Sequence, residues 1–450
     1  MKIVIVGAGK VGSEIARALS GENHNVVIVD SKRECVESLT QELDVLGLVG
    51  NGVVADDLIE AGVKGADVVM AVTKSDETNV ICCLVAKKLG ARRTVARVRE
   101  PEYSAQTEFM RSSLGIDLVV NPDKETADEI ARLLRYPGAE HVDTLGHGKA
   151  DIVGLRLEAD CVIVGKSLRE LFRTMKIKVL VCAVERDGEV IIPDGDTVFA
   201  EGDVVYFSGN YRSVDALLRQ LELSVFVRSV LIVGGSRISH YLASLLIDSG
   251  IKVKIIERNR IKCERLAEAL PKALVVCGDG TDKNVLAEEG IDLVDSVITL
   301  TGGDEENILL SLYAKSRGVD KVITKVNGTT FSNLLATLDL GSVISPKSVA
   351  SETLVRYTRS LQAPEGSNVL ALYRIVGDKA EVVMFTANEG SKILGKPLKE
   401  LRFRKGSLIA GVLRGREFIA PDGNTVIEAG DEVLVVSAKH KFYMLDDVLN

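Results

Sequence analysis

Gly7-Ala8-Gly9-Lys10-Val11-Gly12 is the segment whose residue types and spacing point most directly to chemistry. It is a GxGxxG placed after the apolar run KIVIV. Gly7 permits a tight turn, Gly9 lets the backbone approach a pyrophosphate, and Gly12 lets the following helix pack close on the strand. The N–H groups left free at the helix start then face an anion. Asp30 ends the next apolar run, NVVIVD. A carboxylate there accepts both ribose hydroxyls and repels a 2′-phosphate, which favours NAD(H) over NADP(H). Further candidates follow the later runs, where ligands lie in open α/β sheets. Asn51 is placed to face an adenosine, and Thr73 and Lys74 come next, with Asp76, Glu77 and Asn79 close behind. Arg97 offers a phosphate a charged bidentate donor. The competing readings are a helix-capping acid for Asp30, a solvated first helical turn for Asp76 and Glu77, and a structural salt bridge for Arg97.

The same set is written a second time. KIVIVGAGKVG (2–12) returns as SVLIVGGSRIS (229–239), GNG (50–52) as GDG (278–280), and AVTKSDETNV (71–80) as LTGGDEENI (300–308). The second set is Gly234, Gly235, Ser236, Arg237 and Ile238 with Glu257, Asp279, Thr301 and Lys325. Its serines depart from the pattern. Ser236 is expected to hold the backbone farther from a pyrophosphate and Ser239 to loosen the helix packing, whereas Arg237 can add phosphate charge. A degenerate structural copy is the alternative to a working second site. Farther on, GKSLREL (165–171) matches GKPLKEL (395–401), and DGDTV (194–198) matches DGNTV (422–426). A repeat over the whole length decides the architecture before any single motif does.

The elements that must position these residues read as strands at 2–6, 25–30, 45–49, 67–72, 93–98 and 117–120, nearly all apolar, as strands buried on both faces must be. Helices alternate with them; the first presents Val11, Ile15, Ala18 and Leu19 on one face, and its second copy Ile238, Leu242, Leu245 and Leu246. That order predicts doubly wound parallel sheets. Asn121-Pro122 and Ser345-Pro346 read as N-cap and first-turn proline of two further helices, which stop at Pro137-Gly138 and near Pro364. Each is followed by a smaller module, with strands expected at 151–157, 179–186, 189–192 and 203–208 and a helix at 167–173. The equivalents are placed at 369–376, 408–413, 417–420 and 432–437. The fold class is α/β: two Rossmann-like domains (1–138 and 225–362), each followed by a small α+β lobe (139–224 and 363–450).

Net charge is −8 with no block of Lys or Arg, so nucleic acid is not an expected partner. No apolar run approaches the roughly 20 residues that span a bilayer. A strand already beginning at residue 2 leaves no room for a signal peptide. The seven scattered cysteines suit a reducing cytosol, and Cys82-Cys83 read as core. His141 and His147 flank Asp143 in what reads as a solvated, glycine-bearing linker; a metal site there is the alternative, and none is expected. No P-loop, GxSxG or HExxH motif occurs. A duplicated nucleotide fold without an evident substrate domain favours binding over turnover.

With these motifs aligned, the chain resembles over its full length the TrkA family, cytosolic regulatory subunits of Trk-type potassium uptake systems, with tandem RCK domains. The resemblance implies no enzyme. It implies nucleotide contacts at Gly7 to Val11, Asp30, Asn51, Thr73 and Arg97, and at Gly234 to Ile238, Glu257, Asp279, Thr301 and Lys325. NAD(H) is the expected cofactor, with ATP/ADP as a further candidate. A homotetramer docked beneath a membrane potassium transporter subunit, on the cytoplasmic face, is implied as well. An NAD-dependent oxidoreductase and a regulator of another cation transporter are the alternative readings.

Overall fold

The computed structural model describes all residues except 105, 137, 147–148, 175–177, 222–226, 329–337, 339, 362–367, 376–378, 416 and 439. The first lobe alternates strand and helix. It begins β1 (Lys2–Val6), α1 (Lys10–Gly21), β2 (Asn25–Asp30), α2 (Arg33–Glu42), β3 (Leu46–Val49), α3 (Ala55–Glu60) and β4 (Val68–Ala71). It continues with α4 (Asp76–Lys88), β5 (Arg93–Arg97), α5 (Pro101–Ser104), α6 (Thr107–Ser112), β6 (Leu118–Val120) and α7 (Pro122–Arg135). The six strands are parallel in the order β3-β2-β1-β4-β5-β6. Strand order therefore reverses between β1 and β4, and the Gly-rich turn opens at that crevice. The core strands are β-branched and buried on both faces, with Ile3, Val4, Ile5, Val68, Val69 and Met70 all at 0% exposure. On α1 the buried stripe is Gly12, Ile15, Ala16 and Leu19, so Ala16 takes the place expected of Ala18.

The small lobe that follows is a separate antiparallel sheet: β7 (His141–Leu145), β8 (Ala150–Arg156), α8 (Leu168–Thr174), β9 (Leu180–Arg186), β10 (Glu189–Ile191), β11 (Val204–Gly209) and α9 (Tyr211–Gln220). Its order is β10-β9-β11-β8-β7. His141 thus lies in a strand, paired with Gly154 and stacked near Tyr206, and not in a linker; His147 lies outside the described residues.

The second large lobe repeats the first: β12 (Ser229–Val233), α10 (Arg237–Asp248), β13 (Lys252–Glu257), α11 (Arg260–Ala269), β14 (Leu274–Cys277), α12 (Lys283–Glu288) and β15 (Ser296–Thr299). Then come α13 (Asp304–Ser316), β16 (Lys321–Lys325), β17 (Ser342–Ile344) and α14 (Pro346–Ser360). Its order, β14-β13-β12-β15-β16-β17, is that of the first sheet. The final lobe has β18 (Val369–Ile375), β19 (Ala380–Thr386), β20 (Ser407–Arg414), β21 (Glu417–Ile419) and β22 (Glu432–Ser437), ordered β18-β19-β22-β20-β21. Matching the two small sheets strand by strand pairs β8 with β19. The run at 369–376 is therefore the counterpart of β7 and not of 151–157, a correction to the expected register. Each small sheet holds a five-strand antiparallel arrangement after a six-strand parallel one.

The four lobes group into two units, residues 1–134 with 227–358 and residues 135–226 with 359–450. In the first unit the two large lobes interlock. α7 leaves the first lobe and buries Ala127, Ile130 and Leu134 in one core with Ile232, Ile238, Leu242 and Ile298 of the second. Reciprocally, Lys347 on α14 pairs with Glu14 on α1, and Thr353 reaches Glu125 on α7. Asn121 caps α7 as expected, accepting bonds from the N–H groups of Asp123 and Lys124 at 3.0 and 3.2 Å. Ser345 does not play that part: its buried hydroxyl has no partner among the described residues. Both predicted helix stops, Pro137 and Pro364, lie outside the described residues. In the second unit the small lobes share a core in which Ile152, Cys182 and Tyr206 meet Val382, Ala410 and Leu434.

Candidate nucleotide-binding site

The turn from β1 into α1 is built around two glycines that nothing larger can replace. Gly7 has φ +110°, and a Cβ there would sit 2.9 Å from the backbone nitrogen of Thr73. A Cβ on Gly12 would fall 1.8 Å from the Gly7 carbonyl oxygen, inside any tolerable contact. Gly9 is different: it N-caps α1 with open space around it, no side-chain cap and no acid in the first helical turn. The positive end of α1 is therefore left bare at the crevice between β1 and β4, where Lys10 is exposed and Val11 partly buried.

Asp30 fixes this turn. Its carboxylate accepts the Ala8 N–H at 2.7 Å through one oxygen and the Lys32 N–H at 2.9 Å through the other. Each oxygen keeps lone pairs for a further donor. Glu257 does the same in the second lobe, holding the N–H groups of Gly235 and Asn259, both at 2.7 Å. The acid therefore closes the loop from its rim and does not cap α2, whose N-cap is Lys32 with no side-chain cap. At the end of β3, Asn51 accepts the Val53 N–H at 3.2 Å and its own N–H is held by Asp57. Its counterpart Asp279 accepts from Thr281, and those bonds hold its carboxyl below the usual aspartate value.

The ends of β4 and β5 are tied by one buried side chain. Asn79, at 0% exposure, accepts the Thr73 N–H at 2.8 Å and donates to the Arg97 carbonyl at 2.9 Å. Asn307 repeats this between Thr301 and Lys325. Asp76 is no solvated first-turn acid: it is buried and accepts the N–H groups of Arg99 and Glu100 at 2.8 and 2.9 Å. Glu77 is exposed, bonded to Ser75 and Tyr103, and Lys74 is exposed.

Arg97 is 8% exposed, yet among the described residues its Nε and Nη2 have no hydrogen-bond partner. That removes the salt-bridge reading. Burial, then the neighbouring Arg99, pulls its guanidinium below its ordinary pKa. An unpaired buried cation costs free energy unless an anion meets it. The nearby acid, Asp123, is engaged elsewhere: it takes Arg99 at 3.0 and 3.2 Å, and Arg237 of the second lobe at 3.0 Å. Arg237 also pairs with Glu100.

The second lobe gathers its candidates around a cleft of about 260 Å³ lined by Gly234, Gly235, Ser236, Glu257, Asp279, Thr301 and Lys325, with Arg258, Lys262 and Glu306. Arg237 and Ile238 do not line it. Arg237 points across to the first lobe, which corrects the expectation that it supplies phosphate charge here, and Ile238 is core. Ser239 does not loosen α10; it is fully buried, and its hydroxyl donates to the Gly234 carbonyl. Ser236 accepts the Ser239 N–H at 3.2 Å and Ser239 accepts the Ser236 N–H at 3.1 Å, forming a capping box. Donors that a phosphate would take are thus already used. Lys325, the counterpart of Arg97, donates to the Thr301 carbonyl at 2.5 Å. Sequence reasoning missed Arg99 and Asp123, which pair across 24 residues of chain, and Tyr241, whose hydroxyl accepts from Asn121 of the other large lobe at 3.1 Å. Among the described residues no cluster of His, Cys, Asp and Glu is arranged to hold a metal, and no helix is long and apolar enough to cross a membrane.

The signature of the TrkA-N domain matches residues 3–122 and 230–346, and that of the TrkA-C domain residues 152–222 and 382–450. The chain is 34% identical over 446 residues to "Trk system potassium uptake protein TrkA homolog 1" of Methanosarcina mazei, covering 97% of each chain. It is 34% identical over 449 residues to "Trk system potassium uptake protein TrkA" of Vibrio alginolyticus, covering 98% of this chain and 97% of that one. Among solved structures, the "GsuK channel bound to NAD" shares the fold with a TM-score of 0.64 at 21% identity, over 97% of this chain and 77% of that one.

Proposed function

The chain belongs to the TrkA family of Trk potassium-uptake proteins, and we propose that it is a nucleotide-sensing regulatory subunit, not an enzyme, that gates a membrane potassium transporter of the Trk type. The supporting observation is the first lobe's charge pattern: a bare helix N-terminus at Gly9, the acid Asp30 at the rim, and the buried, unpartnered guanidinium of Arg97. An adenine dinucleotide has matching groups, ribose hydroxyls for Asp30 and an anionic pyrophosphate for the loop. The residues present fit NAD(H), and ATP or ADP places phosphate on the same cationic side. The four-lobe division, assembly as a homotetramer and residence at the cytoplasmic face of the membrane through the partner belong to the same proposal.

The interlocked large lobes supply the transmitting element. Asp123, in the first turn of α7, is bonded from both lobes, so an anion arriving at Arg97 alters the field that Asp123, Arg99 and Arg237 share. α7 then carries a shift into the second lobe's core. Ligands switch the assembly only if they bind its states unequally; a coupling of about 1–3 kcal/mol shifts the population roughly 5- to 150-fold. Potassium flux through vesicles holding the protein and its membrane partner tests this. Flux should differ between NADH and NAD, or between ATP and ADP. Identical flux under all four would contradict gating.

A further inference from the structure

Two thiols meet beside the second cleft. Cys277 ends β14 directly opposite Glu257 in the parallel register, and Cys263, in the first turn of α11, donates from Sγ to the Glu257 carbonyl at 3.0 Å. Glu257 is thus flanked by both cysteines, Cys263 reaching its carbonyl from the helix side and Cys277 standing beside it on the neighbouring strand. Cys277 is exposed, whereas Cys263 is 6% exposed. The first lobe has no such pair. Val36 holds the corresponding fourth position of α2, and Val49 stands opposite Asp30 as Cys277 stands opposite Glu257. The fold therefore accepts two valines here, and packing does not require sulfur. Both cysteines are also next to cleft residues: Lys262 precedes Cys263, and Asp279 follows Cys277 by two residues.

We propose that Cys263 and Cys277 form a reversible disulfide site, oxidised by hydroperoxides, that locks α11 to β14 and stiffens the wall of the second cleft. The exposed Cys277 thiolate attacks a peroxide oxygen; the O–O bond breaks, giving a sulfenic acid and water. Cys263 then attacks the Cys277 sulfur as a thiolate, the S–S bond forms, and the displaced hydroxide leaves as water. In sum, two thiols and one hydrogen peroxide give one disulfide and two waters. Burial, with the neighbouring Cys277 next, pushes the Cys263 thiol up to about 11, so the exposed Cys277 is the thiol that meets the peroxide first. A dithiol reductant reverses the bond by exchange.

The test uses the full chain, reduced and then treated with one equivalent of hydrogen peroxide. Peptide mass analysis under thiol-blocking conditions should find a Cys263–Cys277 linked peptide, removed by dithiothreitol. It should be missing in Cys263→Val and Cys277→Val, which copy the first lobe. Hydrogen exchange over 257–263 and 277–282 should slow in the oxidised chain and recover on reduction. A Cys277 sulfenic or sulfinic acid with no linked peptide overturns the site, as do linkages that persist in the variants. A linked peptide with unchanged exchange overturns the stiffening of the cleft. Neither readout needs a bound nucleotide, so failure here is distinct from failure of the nucleotide reading, on which the meaning of the cleft rests.

Discussion

Arg97 is costly to the ligand-free chain, the proposed site makes it useful to the bound one, and that opposition can be measured. Replacing it by Met removes two buried donors that lack partners. Each such group costs about 1–3 kcal/mol, so Arg97→Met should unfold at higher denaturant than the wild type without ligand. The same variant should bind NADH more weakly, by roughly 10- to 150-fold for a lost charged hydrogen bond of about 1.5–3 kcal/mol. Loss of stability and binding together would mark Arg97 as structural. Asp30→Ala should also weaken NADH binding by roughly 10- to 150-fold, on the same warrant; unchanged affinity in a titration would show that Asp30 only closes its loop. The glycine loop and Asp30 were legible because their spacing is local and backbone geometry demands it. Asp76, Asn79 and Asp123 were not, since their roles depend on bonds to β5, to Arg99 and to Arg237 that sequence distance conceals.

At the level of elements, α7 matters more than its first-lobe sequence suggests. Ile130 is fully buried in the second lobe's core, so Ile130→Ala should cost about 2–5 kcal/mol. Hydrogen exchange should show the loss in β12 and β15 as well as in α7; loss confined to α7 would contradict the interlock. A second element-level test concerns acid. Burial alone would raise the Asp117 carboxyl, but bonds from Lys87, Arg93 and the Thr94 N–H bring it below its ordinary value. A folded pKa below the unfolded one, near 4, contributes stability that is present above that pH and lost as pH falls through the lowered value. Asp117→Asn should therefore be less stable than the wild type at pH ~7, and should lose less on acidification to pH ~3. Denaturant melts at the two pH values decide it; parallel losses would contradict the assignment. The doubly wound parallel sheets and most large-lobe strands were readable from apolar runs. β7 was not, because HVDTL alternates polar residues and carries exposed positions at the edge of its sheet. Missing it also shifted the expected register of the last lobe by one strand.

For the whole molecule, duplication is the main fact, and the two copies have diverged where it counts. The first loop ends in a bare glycine cap, and the second closes on itself through Ser236 and Ser239. Among the described residues Arg97 Nε and Nη2 lack partners, whereas Lys325 already holds the Thr301 carbonyl. These differences are why we expect a tight first site and a weaker second one, and a full-length relationship to TrkA proteins links the chain to potassium uptake. The most direct measurement is a calorimetric titration of the full chain with NADH, NAD, ATP and ADP, read as sites per chain. One tight site that weakens by roughly 10- to 150-fold in Asp30→Ala, with or without a weaker second, is the predicted result. No heat with any of the four would contradict the nucleotide switch itself.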